Sequence, residues 1–168
     1  MSDEYGISYT KEKCMQCHAC EAACKSWRGV ELGVKWRRVE KIWEGSYPDV
    51  KNLSASVACM HCVEPVCVQT CPEGAISKRA EDGVVLVDRG KCIGCQTCLE
   101  ACPFSAPAFG TDGKMQKCDM CVSQIDYQTE SPPCVATCPT KALDFSKMNV
   151  QDKKIMEETI KQLIKRQL

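Results

Sequence analysis

No stretch of this sequence approaches the ~20 apolar residues that a helix needs to cross a bilayer. The first ten residues, MSDEYGISYT, carry no basic segment followed by an apolar one, so no secretory leader is expected. Net charge is missing as well: 22 basic residues balance 22 acidic ones. That balance excludes the basic field of a nucleic-acid binder. Histidine occurs twice and aromatic residues make up 6% of the chain. There is no phosphate loop, no G-x-G-x-x-G and no Ser-His-Asp set, so nucleotide chemistry and acyl transfer have no visible carrier. The apolar share of 44% counts cysteine; without cysteine about a third remains, below the ordinary share of a globular domain. A chain of 168 residues with so thin an organic core needs another source of cohesion, and bound metal is the obvious candidate.

Cysteine is what the sequence has, at 16 of 168 positions. The cysteines fall into four groups of four. The first is Cys14, Cys17, Cys20, Cys24, spaced x2, x2, x3. The second is Cys59, Cys62, Cys67, Cys71, spaced x2, x4, x3 and followed by Pro72. The third is Cys92, Cys95, Cys98, Cys102, spaced x2, x2, x3 and followed by Pro103. The fourth is Cys118, Cys121, Cys134, Cys138, spaced x2, x12, x3 and followed by Pro139. The third group is the bacterial ferredoxin run C-x2-C-x2-C-x3-C-P. Three cysteines at three-residue intervals in a looped backbone cap three irons of one cube, with the intervening amides turned toward sulfur. The fourth cysteine, one turn on, reaches a neighbouring cube. Proline after it has no N–H to leave unpaired.

Zinc sites use two separated C-x2-C pairs, not triplets followed by x3-C-P. The fourth group alone resembles such a site, but its C-P ending and the even ligand count favour a cluster. Disulfides are disfavoured in the reducing cytoplasm, the compartment expected here, with export on a partner's signal left open. The expectation is therefore four [4Fe–4S] clusters and a non-catalytic role in one-electron transfer. A stand-alone soluble polyferredoxin carrier and a redox-silent, metal-stapled scaffold are the rival readings. His18 and His61 neighbour cluster cysteines, but each cluster already has four thiolates. They read as hydrogen-bonding or exposed residues rather than ligands.

Between the second and third groups, Ala75–Lys78 and Val84–Val87 read as two short strands around an Asp82-Gly83 turn. Pro139 to Phe145 repeats the C-P-x-x-A-apolar pattern of Cys71 to Ile76, so one small unit recurs. The hairpin suggests that the second and third groups exchange their fourth cysteines, leaving the first and fourth to exchange theirs. The fold class expected is α+β: two interleaved bacterial ferredoxin-like dicluster units, loop-rich, with short β-hairpins and a C-terminal helix. The inner unit is residues 55–109, and the outer unit is 1–54 plus 110–148. Residues 149–168 are expected to form an amphipathic helix, with Met156, Ile160, Leu163, Ile164 and Gln167 on one face that packs on this domain or on a partner. In the insertion 25–54, Trp27, Trp36 and Trp43 are expected to fill the thin core and Arg28, Lys35, Arg37 and Arg38 to be solvated, with contact to a partner as the alternative, since Trp and Arg are enriched at interfaces.

The order of the groups, the x12 gap and the missing proline after Cys24 resemble the four-cluster electron-transfer subunits of dimethyl sulfoxide reductase, polysulfide reductase, nitrate reductase and formate dehydrogenase. Trp36-Arg37-Arg38-Val39, Gly90-Lys91-Cys92-Ile93-Gly94-Cys95 and Cys102-Pro103-Phe104 look like the same family. The resemblance covers about 1–148 and implies four ligand sets. One is Cys14, Cys17, Cys20 and Cys138, and the second is Cys24, Cys118, Cys121 and Cys134. The third is Cys59, Cys62, Cys67 and Cys102, and the fourth is Cys71, Cys92, Cys95 and Cys98. It also implies a catalytic molybdenum- or tungsten-pterin subunit as partner. The other end of the wire would meet a further electron carrier, a flavin subunit or repeated copies of this chain. The sequence is shorter than most members and lacks the C-terminal membrane helix that some carry. Similar small polyferredoxins look to serve tungsten enzymes of the aldehyde oxidoreductase and class II benzoyl-CoA reductase types, so that partner stays open.

Overall fold

The computed structural model describes residues 3–165. The first strand, β1 (Glu4–Tyr9), leads through a short 3-10 turn (Lys11–Lys13) to α1 (Ala19–Arg28). Cys20 and Cys24 lie four residues apart on α1, hence on one face, and both are buried. Gly29 ends the helix in the left-handed conformation at φ 58°, and Val30 N–H closes the turn on Lys25 O at 3.0 Å. A hairpin follows, β2 (Arg37–Glu44) and β3 (Lys51–Ala58), paired from Arg37↔Ala58 to Glu44↔Lys51. Val39, Ile42, Ala55 and Val57 turn their side chains into the core. This hairpin is the structured form of the 25–54 insertion.

Further on, α2 (Val66–Gln69) is a single turn, and β4 (Ile76–Lys78) pairs with β5 (Val85–Val87) in the register Ile76↔Val87. The hairpin expected from the sequence is thus present, with Gly83 at φ 73° in its turn. After it come α3 (Thr97–Ala101), the small pair β6 (Ala108–Phe109) and β7 (Met115–Gln116), and α4 (Pro133–Ala136). Pro133 sits in the first turn of α4, where its missing N–H costs nothing. The last strand, β8 (Leu143–Met148), returns to pair antiparallel with β1, from Glu4↔Met148 to Tyr9↔Leu143. Tyr5, Phe145 and Tyr127 stack beside this sheet with ring centroids 4.7 to 5.1 Å apart. The fold is α+β, with four two-stranded sheets among the described residues.

Helix α5 (Val150–Lys165) starts at Asn149, whose Oδ1 accepts the Asp152 N–H at 2.9 Å in an N-cap. Ile160 and Leu163 are buried against Ile42, Val57, Met60 and Phe104, with Met156 and Ile164 beside them. This is the face expected from the sequence; Gln167 lies outside the described residues. The chain ends are brought to its middle by charge. Lys153 on α5 is fully buried and donates to Glu4 Oε2 at 2.7 Å, while Lys78 on β4 meets Glu4 Oε1 at 2.6 Å.

Two expectations about the insertion need correction. Trp27 and Trp43 are 54% and 65% exposed and do not fill the core. Only Trp36 packs inward, its indole N–H donating to Gln116 Oε1 at 3.0 Å. Val39 and Ile42 lie on opposite faces of β2 and pack into separate clusters, whereas Trp43 shares the face of Val39 but sits toward the open end of the hairpin, opposite exposed Asn52. Conversely, Arg37, expected in solvent, is 5% exposed. It shares the face of β2 that carries Val39, two residues on.

Candidate metal centres

The four cysteine loops share one backbone device. In each C-x2-C, the residue before the second cysteine is left-handed: Gln16 (φ 58°), His61 (φ 48°), Gly94 (φ 74°) and Met120 (φ 56°). In the first and third loops the residue after that cysteine is left-handed too, His18 at φ 58° and Gln96 at φ 63°. Non-glycine residues adopt this conformation at a cost and keep it where the surroundings demand it. Here the reversals curl the chain, and in the third and fourth loops both sulfurs of the C-x2-C line one cavity. At Gly94 a Cβ would meet Gly113 O at 2.5 Å, so the loop also needs the close approach that only glycine allows.

A second device follows the C-P dipeptides. Gly74, Ser105 and Lys141 are left-handed at φ 56°, 45° and 50°, each three residues after Cys71, Cys102 and Cys138. The next N–H then turns back to sulfur: Ala75 to Cys71 Sγ and Ala142 to Cys138 Sγ, both at 3.3 Å. Cys102-Pro103-Phe104-Ser105-Ala106 is a third copy that sequence reasoning missed, although C-P-x-x-A was legible there. Arg38 holds that copy, donating to Phe104 O at 2.7 Å and Ser105 O at 3.2 Å. Met115 N–H reaches Cys92 Sγ at 3.3 Å and Met120 N–H reaches Cys118 Sγ at 3.4 Å. Amide donors aimed at sulfur favour the thiolate. At Cys138 burial works against this, but the amides of Leu143 and Ala142 and the Thr140 hydroxyl hold its thiol below the ordinary 9.0.

The sulfurs surround spaces. Cys71, Cys92, Cys95 and Cys98 line a small cavity whose other walls include Ile76, Val87, Phe109 and Met115. Cys24, Cys118, Cys121 and Cys134 line another between Trp36, Met120 and Pro132. Cys62, Cys67 and Cys102 line a wider groove under α5. Cys59 faces the neighbouring cavity instead, with Met60 and Arg37. Of the remaining four, Cys20 is buried with Cys14 close enough to perturb it, Cys138 packs on the Cys20 and Cys24 core, and Cys17 is exposed. Among the described residues, no three of His, Cys, Asp and Glu converge as they would on one metal ion.

Burial pushes the Cys67 and Cys98 thiols up to about 11, and those of Cys24 and Cys121 up to about 12. Such thiols give up their protons only to a metal. Two buried cations fit the same requirement. Arg37 and Lys117 are 5% and 3% exposed, and neither has a carboxylate within ion-pair distance among the described residues. Lys117 instead donates to the carbonyls of Val85 and Cys118. Buried unpaired cations are costly, and thiolate-bound clusters supply the missing negative charge. His61 is fully buried, accepts the Val85 N–H on Nδ1 at 2.9 Å and stays neutral, because burial and the Lys117 ammonium hold it well below 6.5. His18 is half-exposed beside Glu21.

Apolar cavities ringed by four thiols, amides turned to sulfur and buried uncompensated cations define an iron–sulfur protein of the polyferredoxin class. Residues 50–148 match the 4Fe-4S dicluster domain family, and the chain belongs to it. The chain is 38% identical over 163 residues to the B subunit of the anaerobic dimethyl sulfoxide reductase of Escherichia coli (strain K12), covering 92% of this chain and 78% of that protein. It is 41% identical over 153 residues to the formate dehydrogenase iron-sulfur subunit of Wolinella succinogenes, covering 78% and 75%. It is also 34% identical over 152 residues to a thiosulfate reductase electron transfer subunit of Salmonella typhi, covering 89% and 79%. The sixteen cysteines fit four [4Fe–4S] clusters. No helix among the described residues is long and apolar enough to cross a membrane.

Proposed function

We propose that this chain is the electron-transfer subunit of an oxidoreductase complex, relaying single electrons between a catalytic molybdenum- or tungsten-pterin subunit and a second redox partner. The observation that carries this is the same left-handed reversal in all four C-x2-C loops, in a chain similar to subunits of three different reductases and dehydrogenases. In this reading Cys14, Cys17, Cys20 and Cys138 hold one cube, and Cys24, Cys118, Cys121 and Cys134 the second. Cys59, Cys62, Cys67 and Cys102 hold the third, and Cys71, Cys92, Cys95 and Cys98 the fourth. Each x3 cysteine crosses to the other cube of its pair. Support comes from the pairing of β1 with β8 and the packing of α1 on α4, which bring the first and fourth groups together. The packing of α2 on α3 does the same for the second and third groups. Residues 1–54 and 110–148 are then an outer unit around an inner one at 55–109.

The clusters supply one-electron storage, over a family span of about −700 to +450 mV. The chain's residues do the rest. Apolar walls exclude water, amides aimed at Cys71, Cys92, Cys118 and Cys138 offset negative charge, and the left-handed turns fix where each sulfur stands.

Anaerobically isolated chain is expected to carry about 16 iron and 16 sulfide and to bleach in the visible on reduction. Stoichiometric zinc in place of iron would refute the assignment. The exchange of cysteines has its own test. Cys138→Ser and Cys17→Ser must abolish the same component of the reduced EPR spectrum; a Cys138→Ser loss that coincides with that of Cys118→Ser shows the pairing to be wrong.

A further inference from the structure

Arg37 opens strand β2 as a guanidinium with almost no contact to solvent. Among the described residues, the guanidinium donates from Nη1 to Ser56 Oγ at 3.1 Å, and its buried Nε has no partner. Ser56 Oγ lies 3.5 Å from Cys20 Sγ, so the contact leads straight to the first cysteine set. On its other side the guanidinium faces the second set. Burial opposes its charge, while Cys134, Cys118, Cys20 and Cys24 lie near enough to favour it once they are thiolates. Among the described residues no carboxylate lines the adjoining small cavity, which is walled by Tyr9, Ser56, Cys59, Met60, Met120 and other uncharged side chains. The four other described arginines, Arg28, Arg38, Arg79 and Arg89, each have a carboxylate partner, in Asp119, Glu40, Asp82 and Asp112. Arg37 is the exception among them, and it is the most buried.

We infer that Arg37 is a fixed countercation shared by the cubes of the first and second cysteine sets, favouring their reduced forms and so setting their potentials. The inference rests on the cluster assignment proposed above. Each of these cubes takes one electron from the redox partner, no bond forms or breaks, and the total charge with four thiolates goes from about −2 to about −3. A cation held in a dry site is more strongly attracted to the more negative form. A surface cation would be screened by water and salt. The hydroxyl of Ser56 fixes the guanidinium plane, which makes Ser56 the positioning residue for Arg37.

The test compares wild type with Arg37→Met, Arg37→Gln and Arg37→Lys in the full chain, reconstituted anaerobically and titrated potentiometrically with EPR detection. Cys17→Ser and Cys121→Ser identify the components of the two sets. In the neutral variants the reduced-to-oxidised ratio of those components is expected to fall about tenfold or more at fixed ambient potential, equivalent to about 59 mV for a one-electron couple. The component of the Cys71, Cys92, Cys95 and Cys98 set is expected to stay where it is, and Arg37→Lys to remain close to wild type. Neutral variants that load fully and titrate as wild type overturn the inference. If the neutral variants fail to load iron, Arg37→Lys decides: full loading supports a required cation, and failure to load shows a packing role and overturns it. Iron content of the wild type reports separately on the cluster assignment. A wild type far short of about 16 iron refutes that assignment, whereas a shift in loaded variants bears on Arg37 alone.

Discussion

Replacing Glu4 with glutamine should be far more damaging than removing the lysine it holds. Lys153 has no solvent exposure, and its ammonium has two partners, Glu4 Oε2 at 2.7 Å and Tyr5 O at 3.2 Å. Glu4 also carries Lys78 at 2.6 Å. In Glu4→Gln the carboxylate goes and both ammoniums stay, one of them sealed inside. Stripping one partner from a buried pair costs about 3–5 kcal/mol. Tyr5 O and the new amide oxygen still accept from Lys153, which puts the loss near the lower figure, about 3 kcal/mol. In Lys153→Met the buried charge disappears, Glu4 keeps Lys78, and the unbranched side chain fills similar space, so about 1 kcal/mol or less is expected. A chain carrying oxygen-sensitive metal does not unfold reversibly, so the measurable quantity is a rate. Loss of cluster absorbance in anaerobic denaturant should be about a hundredfold faster in Glu4→Gln if the loss falls on unfolding. It should be within about fivefold of wild type in Lys153→Met, with the double variant recovering most of the loss. Equal damage from the two single variants, or no acceleration in Glu4→Gln, would refute the view that this triad clasps β1, β4 and α5 together.

The same carboxylate predicts a pH signature. Burial pushes Glu4 up, but the Lys153 and Lys78 ammoniums more than offset it and hold the group below its ordinary 4.5. Its contribution is therefore fully present above pH 4.5 and is lost as pH falls through the lowered value. The difference in bleaching rate between wild type and Glu4→Gln should stay constant from pH 7 to about 5 and narrow below that; a gap that widens on acidification contradicts the sign. Gly83→Ala should destabilise by about 1–3 kcal/mol. The turn holds Gly83 at φ 73°, and an added Cβ would meet the Glu4 carboxyl carbon at 2.5 Å. Bleaching kinetics of Gly83→Ala in the Glu4→Gln background, where the clash persists and the ammonium clasp is already weakened, separate strain from lost charge.

How much of this was legible in the sequence follows from which residues act locally. The C-x2-C loops and the C-P turns were readable because their geometry is written within five residues of each cysteine. The β4–β5 hairpin was readable for the same reason, from β-branched runs around Asp82-Gly83. The pairing of β1 with β8 was not, because Ile7 and Phe145 are 138 positions apart in sequence and neither strand alternates strongly enough to announce itself. The β2–β3 hairpin was hidden differently. Both its faces are partly covered, one carrying Arg37, Val39, Ser54 and Ser56 and the other Ile42, Ala55 and Val57, so a period of two in polarity never forms.

Charge bookkeeping explains the remaining misreading. Counting side chains gives 22 acids against 22 bases, and a buried arginine then looks like an error of placement. Four cubes with their thiolates add about −8 that no count of Asp and Glu contains. The chain is acidic when loaded, and its negative charge lies inside it. Under that field the usual rule inverts: a cation is stabilised by going in, toward the clusters, as Arg37 and Lys117 do. Bulky apolar Trp27 and Trp43 lie outside while these two cations lie within. The interior is built around metal, so a burial scale derived from organic cores ranks those residues in the wrong order.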